Sequence, residues 1–309
     1  MLRALRHPTR LGPVLLLSAA ALWHGTPPAR AQVSIFNSNG FESPSYSAGT
    51  ITGQNASTVA GPLTFQALPT PSAGMIQTGT TFAGSQAFQI VGSQLVSTSA
   101  LGYGDANFWY VDFSTANAFK PVASGNPIVH MQFQGRVSGA LALPSDIPFA
   151  GPYLEGFTAS NTQQALTPVL FNTNGGITVF TNTTAGDSNG LISTADGLAS
   201  REAWHSVDLQ MNFNTQTFRV ILDGSPVTFT QGAFSGTDVP FRNTFGPTVS
   251  IAELGMQGYY NATFSPTLNN VYFDNWSVTA QPVPEPSTLA LVGFAAVGAA
   301  VRYRRRRTA

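Results

Sequence analysis

The carboxylates have the widest chemical reach in this sequence, and none stands in a catalytic spacing along the chain. Glu155, Glu202 and Glu253 each lack a second acid two residues away. No single strand therefore presents the paired nucleophile and general acid that glycoside hydrolysis uses. Outside the first 31 residues there are two histidines, His130 and His205, and both read as surface or edge residues. There is no G-x-S-x-G elbow and no H-E-x-x-H zinc pair. Cysteine is absent, which excludes thiol catalysis, thiolate zinc sites and iron–sulfur clusters. These absences predict a protein that is not an enzyme. Aromatic side chains offer flat apolar faces for a ligand. The candidates are Trp109, Tyr110, Tyr153, Tyr259, Tyr260 and Trp276. Tyr259 and Tyr260, flanked by Gly258 and Asn261, read as an exposed ligand-binding loop pair.

The elements that must position these groups are strands. Over residues 128–137, Val129, Met131, Phe133 and Val137 alternate with His130, Gln132, Gln134 and Arg136, the period of a half-buried strand. Residues 206–213 repeat it, and a return strand begins at Phe218 and ends on the tight-turn pair Asp223-Gly224. Further strands are expected over 34–37, 87–91, 107–113, 169–172, 177–181, 249–254 and 271–279. Gly and Pro punctuate the gaps, and no segment has a convincing helical period. Only one of Trp109 and Tyr110 can face a core, because neighbours on a strand point opposite ways. The expected fold is all-β: two antiparallel sheets packed as a sandwich.

The two ends differ from this body. Arg3, Arg6, His7 and Arg10 precede an apolar stretch, and Ala29-Arg30-Ala31 then forms an A-x-A pattern before Gln32. That is a secretory signal peptide over 1–31, cleaved between Ala31 and Gln32, and it implies the Sec export machinery as a partner. At the other end, Val283-Pro284-Glu285-Pro286 leads into an apolar run over 287–301. As a helix the run would be about 22 Å long, a short single membrane span needing help from its flanks. Arg302 and Arg304, Arg305, Arg306 and Arg307 follow and mark the cytoplasmic side. The chain of 309 residues has a formal net charge of zero, but nine of its 14 basic residues lie in these two ends. The body, 32–281, keeps five basic residues against 13 acids, a net charge of −8. Such a surface argues against nucleic acid as a partner.

The tail over 282–309 resembles the PEP-CTERM sorting tail of Gram-negative bacteria: the Pro-Glu-Pro triplet, one short apolar helix and a terminal basic cluster. The resemblance implies an exosortase as partner, with Pro284, Glu285 and Pro286 as its recognition element. It implies transient residence in the inner membrane and delivery to the cell surface or an extracellular polysaccharide matrix. Within the body, Trp204 to Leu209 followed by Phe218 to Gly224 resembles the central hairpin of concanavalin A-like (laminin-G-like) sandwiches. Asn39-Gly40-Phe41-Glu42 and Tyr272-Phe273-Asp274-Asn275 resemble the terminal strands of jelly-roll carbohydrate-binding modules. These likenesses imply a jelly roll whose first and last strands pair. They also imply a structural calcium with Glu42 and Asp274 as ligands. The functions that follow are a structural or adhesive surface protein, a carbohydrate-binding module for matrix polysaccharide, or, third, a concanavalin A-like glycoside hydrolase.

Overall fold

Short strands separated by polar turns account for nearly all the regular structure. The computed structural model describes residues 31–68, 74–96, 106–138, 148–157, 162–182, 185–186, 190–195, 197–243, 245, 248–259 and 270–283. The first strands are β1 (Val33–Asn37), β2 (Gly49–Thr50), β3 (Asn55–Thr58), β4 (Gly61–Thr64), β5 (Gln66–Leu68), β6 (Gly74–Gln77) and β7 (Ala87–Val91). There follow β8 (Ala106–Asp112), β9 (Ile128–Ser138), β10 (Pro148–Phe157), β11 (Gln163–Asn172), β12 (Ile177–Phe180), β13 (Leu191–Ser193) and β14 (His205–Asn212). The last are β15 (Thr217–Leu222), β16 (Ser225–Pro226), β17 (Phe229–Gln231), β18 (Phe234–Gly236), β19 (Val239–Pro240), β20 (Ser250–Tyr259) and β21 (Asn270–Gln281). Among the described residues one α-helical turn, Pro121–Ser124, and two 3-10 turns, Asn39–Phe41 and Gly92–Gln94, interrupt them.

The strands form two large antiparallel sheets. The 12-stranded sheet runs β16-β15-β14-β9-β21-β1-β3-β4, with β19 on β15 and with β7, β6 and β2 branching from β21. The seven-stranded sheet runs β13-β12-β11-β10-β20-β8-β5. Alternation decides which side chains meet between them. From the first sheet, Val129, Met131 and Phe133 of β9 point inward; from the second, Trp109 and Val111 of β8 and Phe171 of β11 answer them. Phe133 meets Phe171 edge to face at 6.3 Å, and Phe88 meets Trp109 at 6.0 Å. Each such ring removed from water contributes about 1.5–3 kcal/mol. The protein is thus an all-β jelly-roll sandwich, and Gln32–Pro282 forms one compact unit.

Strand β21 is the organising strand of the larger sheet. One edge pairs with β9 along its whole length. The other edge pairs with β7 over Asn270 to Phe273, then with β1 over Ser277 to Ala280. The first and last strands of the unit therefore pair. A register shift falls between Asp274 and Ser277, where Asn275 has a left-handed φ of 49°. In that gap between β7 and β1 the backbone of β21 is free to serve other groups.

No strand is expected over residues 148–157, PFAGPYLEGF, whose Gly and Pro are poor strand formers, yet they form β10 at the centre of the seven-stranded sheet. A central strand tolerates proline only where its missing N–H is not needed. Here Gly151 and Pro152 have no partner in the register with β11, which resumes at Tyr153 opposite Pro168. Gly151 lies so close to β11 that a Cβ would fall 1.8 Å from the Val169 carbonyl oxygen. The strand thus needs glycine at that crossing.

Candidate functional site

The outer face of the seven-stranded sheet carries a constellation that no single strand reveals. Leu254 and Met256 of β20 point into the core, so Glu253, Gly255, Gln257 and Tyr259 point out. On one side Glu253 stands directly opposite Glu155 of β10, and on the other directly opposite Asp112 of β8. Direct antiparallel partners hold their Cβ atoms about 4.5–5.5 Å apart. Three carboxylates therefore form a row across three adjacent strands. The expectation of isolated acids holds along the chain and fails across it.

Tyr153 completes the row. It is 3% exposed although it faces away from the core, and its hydroxyl donates to Glu253 Oε1. Its ring covers Gly255, where a Cβ would fall 2.4 Å from Tyr153 Cε1. Only glycine leaves room for the tyrosine to reach across β20 to Glu253. Phe108 packs against the Tyr153 ring at 5.4 Å. Further along the same face, Gln257 is 4% exposed and its Nε2 has no hydrogen-bond partner. Arg242 lies over the Phe180 ring at 4.8 Å, and Phe180 touches Tyr259 at 6.4 Å.

Burial and like charge disturb every acid in this row. Burial pushes the Glu253 carboxyl up; the Tyr153 hydrogen bond works against that, but Glu155 and Asp112 add to it, and the result is about 8. Glu155 is raised by burial and by Asp112, with Arg242 pulling the other way. Asp112 is raised by burial. Tyr153 is raised well above its ordinary value by burial and by Glu253. At neutral pH Glu253 therefore keeps its proton beside a partner carboxyl. Such a face can donate and accept hydrogen bonds, and it can hand over a proton.

The tyrosine pair expected in a loop divides. Tyr259 closes β20, half-buried, on the same face as Glu253. Its hydroxyl is raised by burial, with Arg242 working against it. It is a strand residue, and the expectation of an exposed loop is corrected for it: the alternation of β20 continues past Leu254 to its position. Tyr260 lies outside the described residues. Trp109 and Trp276 are core residues, 1% and 0% exposed.

Glu42 and Asp274 do come together, in the gap along β21. A Cβ on Gly40 would lie 3.4 Å from Asp274 Oδ1 and 3.5 Å from Glu42 Cγ. Asp274 is fully buried. Its Oδ2 accepts the amides of Phe82 and Ala83 at 3.0 and 3.2 Å, and its Oδ1 accepts the amide of Asn275 at 2.7 Å. Glu42 Oε1 accepts the amides of Ser85 and Gln86 at 2.7 and 2.9 Å, and its Oε2 accepts the Ser85 hydroxyl at 2.6 Å. Burial pushes Glu42 up, but those donors outweigh it and hold it below its usual value. Asp274 is raised by burial; its amide donors oppose that and Glu42 adds to it. Calcium wants six to eight oxygens. These four oxygens face N–H and O–H donors instead, and among the described residues no group of three or more acids, histidines or cysteines could hold a metal. The donor set does not fit calcium. What the two acids hold is the loop over residues 82–86.

The histidines are structural neighbours of acids. His130 Nδ1 lies 3.0 Å from Asp208 Oδ1 on the outer face of the larger sheet. His205 Nδ1 lies 2.7 Å from Asp223 Oδ2, and its Nε2 lies 3.3 Å from the Ser200 hydroxyl. This has the order of a catalytic triad. However, Nε2 is closer to the Ser200 carbonyl oxygen, at 2.8 Å. The hydroxyl is therefore not the nearest partner of that nitrogen.

Of the two ends, Ala31, Gln32 and Val283 are described and exposed. Pro284, Glu285, Pro286 and the arginine cluster from Arg302 to Arg307 lie outside the described residues. Among the described residues no helix is long and apolar enough to cross a membrane.

No sequence match was found among curated proteins. Among solved structures, a sialidase is similar over 69% of this chain and 16% of its own, with a TM-score of 0.38 and 9% identity; this chain thus spans a small part of that protein. The carbohydrate esterase vb_24B_21 from the Shiga toxin-encoding bacteriophage phi24B is similar over 76% of this chain and 100% of its own, with a TM-score of 0.42 and 14% identity. Alginate lyase vAL-1 from Chlorella virus is similar over 71% and 93%, with a TM-score of 0.40 and 11% identity. Residues 282–306 match the model of the PEP-CTERM protein-sorting motif, and the chain carries that sorting signal.

Proposed function

We propose that this is an exported, exosortase-processed surface or matrix protein whose sandwich binds polysaccharide on the outer face of the seven-stranded sheet. The sorting motif carries the first half of this reading. The carboxylate row Asp112–Glu253–Glu155 carries the second. Like charges set side by side and half-buried oppose folding, and perturbed groups concentrate where a protein acts. A protonated acid, a partner carboxylate, Arg242 and the amide of Gln257 match the mixed donors and acceptors of sugar hydroxyls. The rings of Tyr110 and Tyr259 supply apolar edges for a pyranose.

Sorting is tested by Glu285→Ala in a strain that has the processing enzyme. Precursor should accumulate in the membrane fraction, and unchanged maturation would overturn the assignment. Binding is tested by presenting the full-length protein to a glycan array. A saturable ligand lost in Arg242→Ala is expected. An array with no saturable ligand would count against the binding role.

A second reading rests on Glu253 holding its proton beside Glu155. In glycoside hydrolysis one carboxylic acid protonates the leaving oxygen while its partner assists attack at the sugar carbon, and water is consumed across the cleaved bond. Release of new reducing ends by the protein, abolished in Glu253→Gln, would support hydrolysis over binding alone. Ligand bound without any cleavage would leave the row a binding face.

A further inference from the structure

A second surface lies on the opposite sheet, built around the loop that Glu42 and Asp274 hold. Phe82 of that loop is 48% exposed, the one aromatic among the exposed large hydrophobic side chains of the described residues. Its ring meets the half-buried Trp204 at 5.9 Å, and Trp204 meets Tyr272 at 6.4 Å. Phe82 and Trp204 form an edge-to-face pair at 66° beside the 12-stranded sheet, and Tyr272, only 9% exposed, backs Trp204 from β21. Beside it, Arg136 Nη2 and Glu202 Oε2 form an ion pair at 2.8 Å. Arg136 is the direct cross-strand partner of Tyr272.

The loop does not reach this position by default. Four of its amides and one hydroxyl are gathered by two carboxylates, one of them fully buried. An apolar ring fixed in water by such an arrangement is preorganised for a ligand rather than left over from folding. Trp204 is set by the left-handed turn at Glu202, whose φ is 64°.

We infer that the Phe82–Trp204 pair, backed by Tyr272, is a binding site for a pyranose ring of a neutral polysaccharide. Sugar C–H faces are apolar and stack on aromatic rings. The paired Arg136 and Glu202 offer donors and an acceptor to the ring hydroxyls without a net charge. The body's net charge of −8 disfavours an acidic polymer. The site is on the other sheet from the carboxylate row, so it stands whether or not that row binds sugar.

Trp204 also serves as a reporter: Trp109 and Trp276 are buried, and the fourth tryptophan, Trp23, is common to the protein with and without Trp204. The test titrates the full-length protein with cellohexaose, mannohexaose and dextran. The Trp204 signal is defined as the fluorescence change lost in Trp204→Phe. At least one of the three should shift that signal saturably. Phe82→Ala, an exposed position, should weaken the response roughly two- to tenfold at an unchanged unfolding midpoint. Leu198→Ala, equally exposed elsewhere, should leave it intact. No response to any of the three sugars overturns the inference. So does equal loss in Phe82→Ala and Leu198→Ala, which would mark general stickiness. A signal that moves with protein concentration alone would assign the pair to a second copy of the chain and overturn the inference as well.

Discussion

Replacing Glu253 by Gln should stabilise the protein, and the gain should grow with pH. The folded carboxyl has a value of about 8 against an ordinary 4.5. At ~1.4 kcal/mol per pH unit, that gap corresponds to about 5 kcal/mol. The sign follows from proton counting. Below pH 4.5 both folded and unfolded chains hold the proton, and Glu253 contributes nothing. Between 4.5 and about 8 the unfolded chain has released it while the folded chain has not, so stability falls as pH rises. Above about 8 the whole cost is present. Glutamine keeps the carbonyl oxygen that accepts from Tyr153 and never ionises. Urea denaturation of both proteins from pH 4 to pH 9 measures the difference. The curves should nearly coincide at pH 4 and separate by several kcal/mol at pH 8.5. A difference that stays flat from pH 4.5 to 8 would refute the buried, proton-holding carboxyl and the site reading built on it.

Three further predictions follow from the same contacts. Asp274→Ala removes the acceptor for the Phe82 and Ala83 amides; buried unpaired donors cost about 1–3 kcal/mol each. A loss of about 3 kcal/mol in urea and faster amide exchange over residues 82–86 are expected, with Asp274→Asn milder. Millimolar calcium or a chelator should leave the unfolding midpoint unchanged, and a calcium-dependent rise would restore Glu42 and Asp274 as metal ligands. Gly255→Ala puts a methyl group against the Tyr153 ring, so about 1–3 kcal/mol of stability should be lost. Quenching of the sugar response on the seven-stranded face should accompany it.

The sequence by itself determined that the chain carries a sorting signal and that its body is built of strands. The sorting motif is a contiguous signal, legible because its parts are read in order. Alternation over 128–137 and 206–213 is likewise local; the first observed strand is one residue longer at its end and the second is offset by one residue at both ends. That periodicity also required that only one of Trp109 and Tyr110 face the core, and the structure puts Trp109 there. Tertiary structure decided which groups act together. Glu155, Glu253 and Asp112 come from three strands, and only the register of β10, β20 and β8 sets them side by side. Register depends on long-range pairing, which one sequence does not encode at any fixed spacing. The glycines and prolines of β10 hid the strand that carries Tyr153 and Glu155. The nearness of Glu42 and Asp274 was legible from the expected pairing of the chain's first and last strands. Their task was not: five of the six donors that engage them come from the loop over residues 82–86, distant in sequence from both acids, and the gap where β21 exchanges β7 for β1 admits that loop to their oxygens.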